Sequence, residues 1–229
     1  MVFFKFINIG KLYAVKQVDL LPHHYQLENK VGNTIPSNDQ YPVLKDYTFV
    51  TIGGNHSSRV SEVVTKITAA IADFDQFGIK VHKVSRFFSN PCFPVSAEPD
   101  FVNAAISVSW NETAASLLQR LHELEASYGR ERTRRWGQRT LDLDLISVGQ
   151  TLAPNLKEYL IWRDLSPAEQ RVKSPSQMIL PHPRLHERAF VLVPLADIAS
   201  DWRHPVLGLS VQQMRDALPT DDLEAVQPL

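Results

Sequence analysis

An α+β domain with a β-α-β-β-α-β core is what this sequence predicts. Two stretches carry apolar residues at helical spacing, four are rich in β-branched and aromatic residues, and turn-forming residues stand at the junctions. YTFVTI at 47–52 reads as a buried strand and Gly53-Gly54-Asn55 as a tight turn. From Ser58, Val60, Val63, Val64, Ile67, Ala70, Ile71 and Phe74 recur with the period of a helix until Gly78 ends it. IKVHKVSRFF at 79–88 alternates in part and reads as a second strand. The proline-rich NPCFPVSAEP then leads into a third, FVNAAISVSW at 101–110. Thr113 is a suitable N-cap for a second helix marked by Leu117, Leu118, Leu121 and Leu124, after which an arginine-rich loop enters the strand TLDLDLISV at 140–148. This order is the split βαβ, ferredoxin-like arrangement with C-terminal additions, a sheet with both helices on one face. It hosts many functions and selects none.

Residues 1–45 carry Pro22, Pro36 and Pro42 and no sustained period, so they read as an N-terminal extension of unknown role. Residues 46–229 form the domain proper, with 153–178 as a charged insertion and a short helix from about Ser210. The longest apolar runs, such as AFVLVPLA at 189–196, fall far short of the roughly 20 residues that cross a membrane. The N-terminus, broken by Lys5, Lys11 and Lys16, lacks the continuous apolar stretch of a secretory signal. A cytoplasmic monomer without membrane partners is expected. Lys and Arg total 24 against 25 Asp and Glu, so no global field draws the chain to nucleic acid, and electrostatic function must be local. A lone cysteine, Cys92, excludes an intrachain disulfide and a cysteine-based zinc site.

The local feature is RRWGQRTLDLDLI at 134–146. In a strand, residues two apart share a face about 7 Å apart, so Asp142 and Asp144 point together while Leu141, Leu143 and Leu145 face the core. Two like charges side by side repel unless a cation offsets them. A pair of hard carboxylates suits Mg2+, which fills its remaining positions with water and phosphate oxygens. For the pair taken alone, an exposed edge strand whose acids pair with arginines is the simpler explanation. Arg130, Arg132, Arg134, Arg135 and Arg139 are opposed within the loop only by Glu131, a concentration suited to a polyanion. A metal-bound triphosphate and, through Trp136, an RNA strand are both polyanions such a loop could grip, although paired acids would repel a nucleic-acid backbone. No Walker loop and no protein-kinase signature occurs. His182 and His186 stand four apart, but Pro183 argues against a helical metal pair. His182 reads as a phosphate donor or a packing residue, His186 as surface.

Taken together, RWGQRTLDLDLI, NPCFP followed by DFVNAA, HELEASYGRER and LPHPRLHERAFVLVPL resemble, in order, segments of the 6-hydroxymethyl-7,8-dihydropterin pyrophosphokinase family of the folate pathway. The four blocks span the chain from about Tyr47 onward. The resemblance implies transfer of pyrophosphate from ATP to the pterin. It implies that Asp142 and Asp144 hold two Mg2+ ions, with Arg130, Arg139 and His182 completing the catalytic set. His122, Glu125, Arg130, Arg132, Arg139, Leu145, His182 and Arg188 would line the ATP site. The pterin would be held by Asn103, stacked between Phe101 and Phe190, and flanked by Asn90, Pro91, Phe93 and Trp136, the last on a mobile loop at 128–140 that closes over ATP. Departures from the family's usual residues are Gly54 for Ser, Gln138 for Pro or a small residue, His122 for Gln and Phe101 for Tyr.

Overall fold

A computed structural model describes residues 48–92, 99–130 and 139–229, the side chain of Arg171 excepted. The expected extension at 1–45, Phe93, and most of the arginine loop, with Arg132 and Trp136, lie outside the described residues. Strand β1 (Thr48–Gly54), helix α1 (Val60–Asp73), β2 (Lys80–Val84), β3 (Phe88–Asn90), β4 (Phe101–Ser109), α2 (Ala114–Ser127) and β5 (Asp142–Val148) follow one another. Next come α3 (Leu156–Arg163), α4 (Pro167–Val172), α5 (Ala189–Ala199), α6 (Val211–Asp216), α7 (Thr220–Glu224) and β6 (Gln227–Pro228). The sheet runs β5-β1-β4-β3-β6, with β2 also on β4, and every pairing is antiparallel.

The single strand expected at 79–88 is two. Ser85 interrupts it: its N–H donates to Ala105 O and its hydroxyl accepts from Ala105 N–H, both at 2.9 Å, so a side chain takes the place of a ladder carbonyl. The next residue, Arg86, clasps Asp197 of α5 with its backbone N–H and two guanidinium bonds of 2.9 and 2.8 Å. The chain bends where α5 docks, which alternation of residues alone does not reveal.

Alternate residues of the strands serve two cores. Val50, Ile52, Ala104, Ile106, Leu143 and Leu145 pack with Val63, Ile67, Leu117, Leu121 and Leu124 of α1 and α2. On the opposite face Phe49, Ala105 and Ile146 meet Val191, Leu192 and Leu195 of α5, Met214 of α6, and Trp202 between these helices in sequence. The first two helices share a face as expected, and α5 and α6 make a third layer. A register shift between Phe49 and Val50 leaves Ile146 as an extra residue in β5, so Leu145 and Ile146 are both buried, one in each core. Thr113 caps α2 by accepting Ser116 N–H, and Gly129, at φ 76°, ends it in the left-handed conformation that glycine adopts without strain.

Candidate active site

The strands bring the candidate residues into a row at one end of the sheet. Gly53 of β1 lies opposite Asp142 of β5 on one side and Asn103 of β4 on the other, and Asn103 in turn lies opposite Phe88. With strands about 4.8 Å apart, Asp142 and Asn103 are separated by roughly 10 Å. The floor between them is bare backbone. A Cβ on Gly53 would strike Asn103 Oδ1, so glycine is needed for the amide to lie there. Asn103 Nδ2 donates to Asn90 Oδ1 at 2.5 Å, and Asn90 Nδ2 donates to Pro91 O at 2.9 Å, which fixes the amide's direction. Phe101 pairs with Asn90 across the ladder, and half-buried Phe190, in the first turn of α5, packs against Phe88 and the α5 core.

Asp142 and Asp144 are half-buried on the same face of β5, an edge strand, while Leu143 and Leu145 are 3% and 6% exposed in the core behind them. The arginines answer the repulsion at Asp142. Arg139 hydrogen-bonds its Oδ2, and Arg130 Nη1 lies 2.6 Å from its Oδ1, an ion pair without hydrogen-bond alignment. Arginine pairing thus offsets the charge of this acid. The charge of Asp144 is felt at Arg188: burial lowers the Arg188 pKa, and Asp144 is the largest influence opposing that. No third His, Cys, Asp or Glu joins the two acids into a metal-sized cluster among the described residues. Two oxygen donors on one face fit Mg2+, which completes its shell with water and phosphate, and fit zinc or calcium poorly.

Glu125, placed by resemblance beside ATP, is 1% exposed and turned inward. Its Oε1 accepts Leu143 N–H at 2.7 Å and pairs with Arg130, so it ties α2 to the free edge of β5 and steadies the arginine that reaches Asp142. His122, one turn earlier, is exposed on α2, and Leu145 packs in the core on the face opposite the acids. His182 is held by its N–H, which donates to Ile146 O at 2.8 Å, two residues along β5 from Asp144. Its Nδ1 accepts Arg184 N–H at 3.1 Å, and burial, followed by the charges of Arg188 and Arg184, keeps its pKa well below the ordinary range. A neutral ring with Nδ1 so engaged carries its proton on Nε2, where it is a hydrogen-bond donor. Arg188 stands at the start of α5 with its guanidinium 5.5 Å over the Phe190 ring.

Asn55 is a site residue that sequence reasoning passed over. It is 1% exposed; its Oδ1 accepts Arg139 N–H at 2.8 Å, its N–H donates to Arg139 O at 3.0 Å and its Nδ2 donates to Pro99 O at 3.2 Å. One side chain thus fastens the end of the arginine loop to the loop before β4. The only signal was the Gly-Gly-Asn turn, too short to interpret alone. His186, read as surface, is half-buried, and burial lowers its pKa.

Residues 49–200 match the model of the family described as 7,8-dihydro-6-hydroxymethylpterin-pyrophosphokinase (HPPK). A Synechocystis 2-amino-4-hydroxy-6-hydroxymethyldihydropteridine pyrophosphokinase is 33% identical over 181 residues, covering 79% of this chain and 78% of the relative. A Pneumocystis carinii folic acid synthesis protein is 29% identical over 180 residues, which are 79% of this chain but 21% of that longer one. In fold, a crystal structure of a Plasmodium falciparum HPPK-DHPS triple mutant aligns with a TM-score of 0.51 at 13% identity, covering 75% of this chain and 44% of that one. With the family's model spanning most of the domain and a relative matched over three quarters of its length, the chain belongs to the HPPK family.

Proposed function

We propose that this chain transfers the β,γ-pyrophosphate of ATP to the hydroxymethyl oxygen of 6-hydroxymethyl-7,8-dihydropterin, releasing AMP, a step of folate biosynthesis. The observation that carries this reading is the row across the sheet end: paired acids with arginines on one side, a bare glycine floor, and an oriented amide on the other. Such a row has separate places for a polyanion and for a flat heterocycle. The strand order supports the ferredoxin-like reading, residues 46–229 form the pyrophosphokinase domain, and 153–178 is an insertion within it. The protein acts in the cytoplasm as a monomer.

The hydroxymethyl oxygen attacks the β-phosphorus, the bond from that phosphorus to the α,β-bridging oxygen breaks, and AMP leaves with the electron pair. Chemistry of this kind asks for alignment and charge stabilisation rather than a protein nucleophile. Mg2+ at Asp142 and Asp144, two ions by family resemblance, supplies charge neutralisation on the phosphate oxygens when bound. Arg130 and Arg139, which pair with Asp142, stand where they can also stabilise the phosphate charge. His182 donates from Nε2, and Arg188 adds a positive charge beside Asp144. Glu125 positions Arg130. Asn103 bonds the pterin edge, with Phe101 and Phe190 on its two faces and Asn90, Pro91 and Phe93 around it; Arg132 and Trp136 belong to the closing loop, and His122 and Leu145 to the nucleotide side.

AMP formation from ATP and Mg2+, with and without the dihydropterin, tests the reading in the parent and in Asp142→Ala with Asp144→Ala. Pterin-dependent AMP that disappears in the double variant is expected. Phosphate release that ignores the pterin would instead make the protein a hydrolase.

A further inference from the structure

The 153–178 excursion is closed at its base. Ala153 and Leu180 exchange two backbone hydrogen bonds of 3.0 Å, and two residues later His182 is fastened to β5 at Ile146. The packing of α3 and α4 therefore bears directly on the segment that carries His182 and Arg188. Each helix has a tie to the rest of the domain. Tyr159, the one buried residue of α3, is 0% exposed and sets its hydroxyl 3.0 Å from His204 Nε2. His204 Nδ1 accepts the N–H groups of Val206 and Leu207 at 3.1 and 3.2 Å, so its proton lies on Nε2 and points at the tyrosine oxygen. The contact continues inward ring by ring, Tyr159 to His204 at 5.7 Å, His204 to Trp202 at 6.0 Å and Trp202 to Phe49 of β1 at 5.7 Å. Trp202 shares its core with Leu185, in the middle of the His182–Arg188 segment.

The second tie is polar. Gln170 of α4 donates from Nε2 to Leu165 O at 2.9 Å and reaches Glu187 Oε1 at 3.5 Å, and Arg184 closes on the same carboxylate from within the segment. His186, in the same segment, feels the charges of Arg163 and Asp164 at the end of α3.

We propose that the excursion braces the nucleotide side of the site, with Tyr159 and Gln170 as positioning residues that hold His182 and Arg188 in place for the triphosphate; this rests on the reading of ATP as substrate. In the full-length protein, Tyr159→Phe removes one hydroxyl and keeps the ring, Gln170→Glu sets a second carboxylate against Glu187, and Gln170→Lys keeps a donor there. KM for both substrates, kcat and the calorimetric Kd of a non-hydrolysable ATP analogue are measured for each.

The expected result is a rise of about tenfold in KM for ATP and in analogue Kd for Tyr159→Phe combined with Gln170→Glu. KM for the pterin stays within twofold, and Gln170→Lys stays near the parent. A folded double variant with unchanged ATP constants, or with equal losses for both substrates, would overturn the brace. A parent that binds the analogue but forms no AMP with pterin would overturn the pyrophosphokinase reading while the Kd comparison still decides the brace. A parent that binds no analogue would overturn both.

Discussion

The same strands present two faces that obey different rules. Toward α1 and α2, residues such as Val50, Ile52, Ala104, Ile106, Leu143 and Leu145 are apolar, closed from water and interchangeable in chemistry. Toward the other side, the sheet end gives Asp142, Asp144, Gly53 and Asn103 at alternate positions of the same three strands. One face lowers free energy by burial in proportion to area along its whole length, whereas the other does so only where α5 and α6 cover Phe49, Ala105 and Ile146, and at its open end holds charge, bare backbone and an oriented amide that stabilise the fold little. Substitutions should therefore separate the faces: activity without stability on one side, stability without a change in chemistry on the other.

The sharpest separation is expected from Asp142→Ala with Asp144→Ala. Loss of both oxygen donors should lower pterin-dependent AMP formation at least about a thousandfold, or about 4 kcal/mol in the barrier, with the melting temperature nearly unchanged. A matching collapse in stability would make these acids structural. On the opposite face, Leu121→Ala removes a side chain that is 0% exposed beneath the sheet. It should cost about 2 to 5 kcal/mol in denaturant unfolding, with KM values of the remaining folded enzyme preserved. A selective change in one KM would show that this core transmits to the site.

The apolar face was legible because period reports burial: Leu141, Leu143 and Leu145 stand in the core where alternation put them, and Leu117, Leu121 and Leu124 line α2. The paired acids were legible for the same reason, since residues two apart in a strand must share a face. What alternation cannot express is long-range pairing. That Glu125 turns inward to Leu143, that Asn55 fastens loops 84 and 44 residues away, and that Ser85 breaks a strand to dock α5 all depend on partners remote in sequence. Helix α5 itself was hidden because, buried on several sides, it has no polar face to mark a period, and Pro194 lies inside it. The inward turn of Glu125 and the clasp made by Asn55 were not legible because a polar residue in a sequence advertises chemistry but not which way it points.

Gly53→Ala tests whether the floor of the site matters through shape alone. The added methyl meets Asn103 Oδ1, which must swing away and surrender its bond to Asn90. Burial of the strand is unaffected, so stability should fall by no more than about 1 to 3 kcal/mol, the range for overpacking. The effect on function should be directional: KM for the pterin up about tenfold or more, with the Kd of an ATP analogue little changed, because the amide and not the acids has moved. Equal weakening of both ligands would mean that the row is read wrongly and Gly53 serves the nucleotide as well.

The smallest effect concerns protons. His204, 1% exposed on the α5 side, has its pKa lowered by burial to about 3, and His182 is also held well below the ordinary value. Above pH 6.5 these rings are neutral in the folded and unfolded chain alike, so they contribute no pH dependence. Between pH 6.5 and about 3 the unfolded chain takes up a proton that folded His204 refuses, so stability falls as the pH is lowered and levels off only below the folded value. Each fully buried neutral ring can cost up to about 1.4 kcal/mol per pH unit in that window. Urea unfolding at pH 7.0 and 5.5 should show this loss in the parent and a shallower slope in His204→Gln, which retains a side-chain donor but does not titrate. A slope that is as steep in His204→Gln as in the parent would show that the pH-sensitive stability does not lie in this buried ring.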